Sequence, residues 1–385
     1  MKRLFLAATL LAAAPLFAQE PLKIGVIAPF SGPFADYGRQ FEGGIKAFMK
    51  VNGDTIAGRK VEILYRDTTG PNPEIAKRFA QELVTRDKVD FLAGFGLTPE
   101  ALAVADVATE AKKPMIVMNA ASSIVTTKSP YIVRFSMTLQ QVSAPMGAWA
   151  AKNGIKKAYT LVSDYAPGID SETGFKNAFT AAGGTVADSI RVPLRNPDFA
   201  PYLQRVKDAK PDAVFVFLPA GEQGIAFMKG FQERGLAQAG IKVIATGDIT
   251  DDHVIDAMGD VALGMITTFH YSAAHESPEN QAFLKAFAEV AADKGRPNFM
   301  AVGGYDGMAG IYEVTKKLGG KIDGDKAMEA FKGLKLASPR GAIAIDPATR
   351  DIVQTVYVRK VEKRGASYYN VEFDRIADVK DPGKP

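Results

Sequence analysis

The chain has 385 residues, no cysteine, three histidines and a formal charge of +4. It therefore forms no disulfide and has no thiolate metal site or cysteine nucleophile, and its interspersed acidic and basic residues argue against a nucleic-acid or polybasic membrane surface. The length suggests two domains, each able to bury a core of its own.

The first 18 residues have the parts of a secretory signal: Lys2 and Arg3, a mostly apolar run from Leu4 to Phe17, and the small residue Ala18 for cleavage. The run falls short of the ~20 residues needed to cross a bilayer. No cysteine follows it to carry a lipid. The mature protein is expected to begin near Gln19, to be exported and to diffuse freely.

Apolar runs of strand length then alternate with helix-period segments. Strands are predicted at Lys23–Pro29, Val61–Arg66, Val89–Gly94 and Met115–Met118, separated by helices at Arg39–Asn52, Pro73–Arg86 and Pro99–Ala111. The rhythm restarts with strands at Ala158–Ser163, Thr185–Val192, Ala213–Leu218, Lys242–Thr246 and Met265–Phe269. Their connecting helices are predicted at Ser171–Ala182, Phe199–Ala209, Glu222–Arg234 and Asp251–Met258. Short strands alternating with helices imply βαβ units and parallel sheets, and two such series joined around Tyr131–Ala150 imply two α/β lobes. Helices at Pro278–Ala292 and Met308–Leu318 precede antiparallel strands at Ala342–Asp346, Ile352–Lys360 and Tyr368–Phe373, so the chain should cross between lobes more than once. The expected division is 1–18 as signal, 19–138 with 272–345 as the first lobe, 139–271 with 346–378 as the second, and 379–385 as a loose tail.

The carboxyl ends of strands in open parallel sheets border a ligand crevice. The loops that follow the strands therefore carry the candidates. Phe34 and Tyr37 project after the first strand. The run Gly94–Pro99 leads into a helix with Thr98 where an N-cap belongs, and a helix N-terminus suits a carboxylate. Its likeness to a dinucleotide fingerprint fails because Pro99 stands in place of the third glycine. Asn119–Ser123 supplies small residues and hydroxyls, so Thr98 and Ser122, after neighbouring strands, form a carboxylate clamp. In the second series Tyr165 offers an aromatic wall and Asp248 a carboxylate that a ligand ammonium would satisfy. Each feature also has an ordinary reading, as packed aromatics, a polar turn or a helix cap. His253, His270 and His275 lack metal-ligand spacing, and there is no nucleophile elbow or phosphate loop. Neither a cofactor nor a metal is expected.

Taken in order, KIGVIAPFSGPFADYG, GFGLTPE, MNAASS, VSDYAPG, ATGDITDD, NFMAVGGYDGM and SPRGAIAIDPATRD resemble the branched-chain amino acid (leucine/isoleucine/valine) binding protein family from Leu22 to about Asp378. The resemblance implies a type I periplasmic binding protein fold, two Rossmann-like lobes with parallel-sheet cores and a multi-segment hinge. It implies a monomeric, non-enzymatic solute-binding component of an ABC transporter that closes on its ligand and docks on an inner-membrane permease. By position it assigns Thr98, the Ala120 backbone and Ser122 to a ligand carboxylate and part of its ammonium. Asp248, shorter than the glutamate often found there, would pair with the ammonium, and Tyr37, Tyr165 and Phe299 would line the pocket. Pro167, not Tyr165, aligns most directly with the second-lobe aromatic, and Leu218–Gly221 lacks an aromatic that some relatives carry. A small carboxylate-bearing solute, foremost an amino acid, is the expected ligand. The alternatives are an aromatic acid or small amide, or a sensory role on the same fold.

Overall fold

Strand β1 (Leu22–Ala28) is buried along nearly its whole length, as a continuous apolar run must be when helices cover both faces of a parallel sheet. The computed structural model describes residues 20–384, so the signal sequence expected at 1–18 lies outside the described residues. With β2 (Thr55–Ile56), β3 (Arg59–Asp67), β4 (Phe91–Gly94), β5 (Met115–Val117) and β6 (Ile132–Arg134), β1 forms a six-stranded sheet in the order β2-β3-β1-β4-β5-β6. All its pairings are parallel except the β2–β3 hairpin. Because β1 lies between β3 and β4, the strand order reverses there and opens a crevice at the strand ends.

The second sheet contains β7 (Lys157–Ser163), β8 (Thr185–Val192), β9 (Ala213–Phe217), β10 (Lys242–Thr246), β11 (Ile266–Phe269), β12 (Lys335–Leu336), β13 (Ile343–Ile345), β14 (Ile352–Arg364) and β15 (Ser367–Val379). Strands β8-β7-β9-β10-β11 are parallel neighbours, whereas β14 joins β11, β13 and β15 antiparallel. The molecule thus has two α/β lobes of mixed, largely parallel sheets.

The chain passes between the lobes repeatedly. After β6 it enters helix α4 (Leu139–Lys152), which packs on α5 (Ala166–Ala181) of the second lobe. After β11 it returns to helix α10 (Phe299–Lys317), which packs on α1 (Ala35–Asn52) of the first through Phe48, Tyr305 and Tyr312. Strand β14 then begins against β13 and continues against β11 without a break. Buried ion pairs stitch these crossings: Arg134 Nε lies 2.8 Å from Asp351 Oδ1 and Arg340 Nη2 lies 2.8 Å from Asp306 Oδ2.

The structure departs from expectation in several places, and the helices expected at Ser171–Ala182 and Met308–Leu318 begin earlier, at Ala166 and Phe299. The first helix starts at Ala35, earlier than Arg39. The helix expected over Asp251–Met258 is reduced to Ile255–Met258, because the Asp251 carboxylate accepts the His253 N–H (2.8 Å) and Asp252 accepts that of Ala273 (3.0 Å). Side-chain bonds of this kind compete with the helix ladder. Of the tail expected to be loose at 379–385, the described residues 379–384 are docked instead. Gln141 Nε2 donates to Val379 O (2.7 Å), Ser123 Oγ donates to Asp381 Oδ1 (3.0 Å), and Lys384 Nζ reaches Asp351 Oδ2 (2.8 Å). Buried partners take up its charged residues.

Candidate functional site at the lobe interface

The loops that follow the strands of both sheets meet across a small, partly enclosed cavity of about 20 Å³. From the first lobe it is bordered by Tyr37, Gly96, Leu97, Thr98, Asn119, Ala121, Met137 and Leu139. From the second it is bordered by Tyr165, Pro167, Phe217, Pro219 and Asp248. No lysine, arginine or histidine borders it among the described residues.

On the first-lobe side the backbone makes the site. Gly94 (φ 100°) and Phe95 (φ 64°) adopt left-handed conformations, which turn the chain from β4 into helix α3 (Thr98–Glu110). Leu97, not Thr98, is the N-cap residue, and its N–H is taken by Glu100 Oε2 (3.3 Å). Thr98 is the first helical residue, at the positive end of the helix dipole. Its Oγ1 accepts the Ser122 N–H (3.2 Å), so its single proton remains to be donated elsewhere. Asn119 Nδ2 donates to Gly96 O (2.7 Å), and among the described residues no donor reaches the buried Asn119 Oδ1. A buried acceptor without a partner is costly, so this oxygen calls for a donor from a ligand.

On the second-lobe side the wall is made of side chains. The Tyr165 ring lies parallel to Phe217, with centroids 6.1 Å apart and planes at 18°. Asp248 is buried, and Thr246 Oγ1 donates to its Oδ2 at 2.8 Å. Desolvation raises its pKa to about 7, while the nearby Arg359 guanidinium pulls the other way. Arg359 reaches this position because residue 247 is glycine: a Cβ there would sit 2.1 Å from Arg359 Nη2. Tyr165, beside Asp248, is likewise pushed well above the ordinary tyrosine range by burial.

Of the residues expected from sequence, Tyr37, Thr98, Tyr165 and Asp248 border one space. Tyr37 OH also donates to Ala220 O of the opposite lobe (3.4 Å). Three others do not border it. Ala120 has both backbone groups committed, its N–H to Phe95 O (2.8 Å) and its carbonyl to Arg134 Nη1 (2.6 Å), and its neighbour Ala121 forms the wall instead. Ser122 Oγ donates to Asp170 Oδ2 (2.6 Å), and the Ser123 N–H shares that oxygen (2.9 Å), so this hydroxyl joins the lobes. Phe299 packs edge-on to Phe269 (4.8 Å) and His270 (5.8 Å), at the start of a helix capped by Asn298. Sequence reasoning missed Asn119 Oδ1, Met137, Leu139, Phe217 and Pro219. Phe217, at the end of a buried strand, held a usable signal, since it is the aromatic that immediately precedes the Leu218–Gly221 strand end. Among the described residues no group of three or more acidic, histidine or cysteine side chains could hold a metal ion, and no helix is long and apolar enough to cross a membrane.

Two α/β lobes that close over a small polar-ended space define a type I periplasmic binding protein. The sequence profile of the family described as periplasmic binding protein matches residues 21–366, and the chain belongs to that family, within its branched-chain amino acid binding group. The chain is 45% identical over 374 residues to the Leu/Ile/Val-binding protein homolog 6 of Brucella melitensis, covering 97% of this chain and 96% of that one. A solute binding protein of an ABC transporter from Rhodopseudomonas palustris BisB5, solved with 3,4-dihydroxy benzoic acid, is similar at 55% identity and a TM-score of 0.91, over 95% of this chain and 99% of its own. Another, from Rhodopseudomonas palustris HaA2 and solved with p-hydroxybenzoic acid, matches at 44% identity and a TM-score of 0.92, over 94% and 99%. The protein is accordingly a solute-binding component of an ABC transporter, a class that binds small ligands, works with membrane permeases and is not enzymatic.

Proposed function

We propose that this chain captures hydroxylated aromatic carboxylic acids in the periplasm and delivers them to an inner-membrane permease. The observation that carries the reading is the polarity of the cavity. A helix start and the Thr98 hydroxyl lie on one side, a flat Tyr165–Phe217 wall runs along another, and the buried Asp248 carboxyl lies on the far side with no cation bordering it among the described residues. A planar acid places its carboxylate at the helix start, its ring along the aromatic wall and its hydroxyl on Asp248, which near neutral pH can donate to or accept from a phenol. The ligands held by the 55% and 44% identical solute binding proteins, 3,4-dihydroxy benzoic acid and p-hydroxybenzoic acid, support the same class.

One observation favours an amino acid as the second reading: an ammonium would satisfy both Asp248 and the unpartnered Asn119 Oδ1. Calorimetric titration with 4-hydroxybenzoate, benzoate and leucine separates the two. Tight binding of 4-hydroxybenzoate with no heat from leucine is expected, and the reverse overturns the aromatic reading. The remaining parts of the proposal are export by a leader cleaved near Gln19 without a lipid anchor, a monomer without turnover of its ligand, and hinge closure between lobes formed by 19–138 with 272–345 and by 139–271 with 346–378.

A further inference from the structure

We infer that the C-terminal tail is a positioning element of the ligand site, and that Lys384 acts on the Thr98 hydroxyl through a continuous chain of buried contacts. Lys384 Nζ lies 2.8 Å from Asp351 Oδ2, with side chains only 6% and 2% exposed. The other Asp351 oxygen lies 2.8 Å from Arg134 Nε. The Arg134 guanidinium spends its remaining donors on the binding loop, on Ala120 O (2.6 Å), Ser122 O (2.7 Å) and Met137 O (3.3 Å). A planar fork of five donors fixes several carbonyls only if its own plane is fixed, and Asp351 supplies that. Ser122, held by its carbonyl, presents its N–H to Thr98 Oγ1 (3.2 Å). With a lone pair so engaged, the Thr98 proton is left to point at the ligand carboxylate. Asp381 secures the same loop from outside by accepting from Ser123 Oγ (3.0 Å).

Pairing a buried lysine with a carboxylate that already has an arginine adds excess positive charge to the interior, and such clusters are weak sources of stability. What Lys384 supplies is orientation: together with Thr126 Oγ1, which donates to Asp351 Oδ2 (2.9 Å), it fixes the oxygen opposite the one held by Arg134. The tail therefore acts on affinity more than on the fold.

The test is a double-mutant cycle between Lys384→Met and Thr98→Val, read by calorimetry with 4-hydroxybenzoate and by melting of the ligand-free protein. The inference rests on the proposed function for its probe alone. Failure of the wild-type chain to bind 4-hydroxybenzoate overturns that function, and the cycle is then read with leucine, whose carboxylate needs the same hydroxyl. Lys384→Met, and a chain ending at Val379, should each weaken binding about fivefold, at the lower end of typical couplings between sites. Lys384→Arg should restore most of that loss. In the Thr98→Val background, Lys384→Met should have little further effect. Unchanged affinity in the shortened chain, or losses that multiply fully in the double variant, overturns the inference. Lys384→Gln, which keeps most of the side-chain stem but not the charge facing Asp351, carries the test if Lys384→Met does not fold. It should weaken binding about twofold, below the size of a lost neutral hydrogen bond, and no change overturns the inference.

Discussion

The two walls of the cavity carry different groups. The first-lobe wall carries the groups that attract an anion, the start of helix α3 and the Thr98 hydroxyl, beside Tyr37, Leu97, Asn119, Met137 and Leu139. The second-lobe wall is largely side chain: the Tyr165–Phe217 pair, two prolines and the Asp248 carboxyl. Backbone dipoles attract any carboxylate equally and cannot tell one acid from another. Ring shape and a placed carboxyl can. Retention of an anion therefore belongs to the first lobe and choice among anions to the second.

The largest test of that division is electrostatic. Folded Asp248 titrates at about 7, whereas an unfolded aspartate ionises near 4. Between those values the native state binds more protons than the unfolded one, so this group makes stability fall as pH rises from about 4 through 7. Asp248→Asn should therefore raise ligand-free stability at pH 8 by roughly 2–4 kcal/mol and leave it nearly unchanged at pH 4, as thermal melts at the two pH values will show. On the first-lobe side Glu100 is pushed to about 8 by burial and is mostly neutral at pH 7. By the same linkage Glu100→Gln should raise stability at pH 7 by roughly 2–3 kcal/mol, because the unfolded glutamate is ionised there while the folded one holds its proton. An unchanged melting temperature would mean that burial does not hold Glu100 neutral.

Binding supplies the next tests. Asp248→Ala should weaken 4-hydroxybenzoate by ~1.5–3 kcal/mol, the range for hydrogen bonds involving a charged group, and benzoate by less than ~0.5 kcal/mol. Equal losses in calorimetry would mean that Asp248 does not read the ring hydroxyl. Thr98→Val should cost both acids alike, by about 1 kcal/mol. A loss confined to one of them would move discrimination to the first wall. Smallest of all, Phe299→Leu should leave both affinities within ~0.5 kcal/mol of wild type while lowering the melting temperature, since it removes core contacts with Phe269 and His270 and does not border the space.

Much of this was legible in the sequence where the cause is local. Strand runs, the loops after them and the helix start at Thr98 depend on neighbours a few residues away, and the expected Tyr37, Thr98, Tyr165 and Asp248 do border one space. The expected residues that do not border it depend on distant partners. Ala120 and Ser122 were read as ligand contacts because their loop is small and polar, but Arg134 takes the carbonyls and Asp170, on the other lobe, takes the hydroxyl. Phe217 looked like any core residue in AVFVFL until Tyr165 lay against it. The tail resembled a solvated end because nothing nearby in the chain announces that Asp351 awaits Lys384.

The contacts that join the lobes around the cavity involve no ligand atom: Ser122 to Asp170, Tyr37 to Ala220, and His253 to Asp36 at 3.3 Å. If the lobes part to release a solute, these links break with them. The escape rate therefore carries a share common to every solute, set by the protein itself. Chemically different guests should then differ in residence time less than their individual contacts alone would give. Loosening any of these links should speed departure of all of them together.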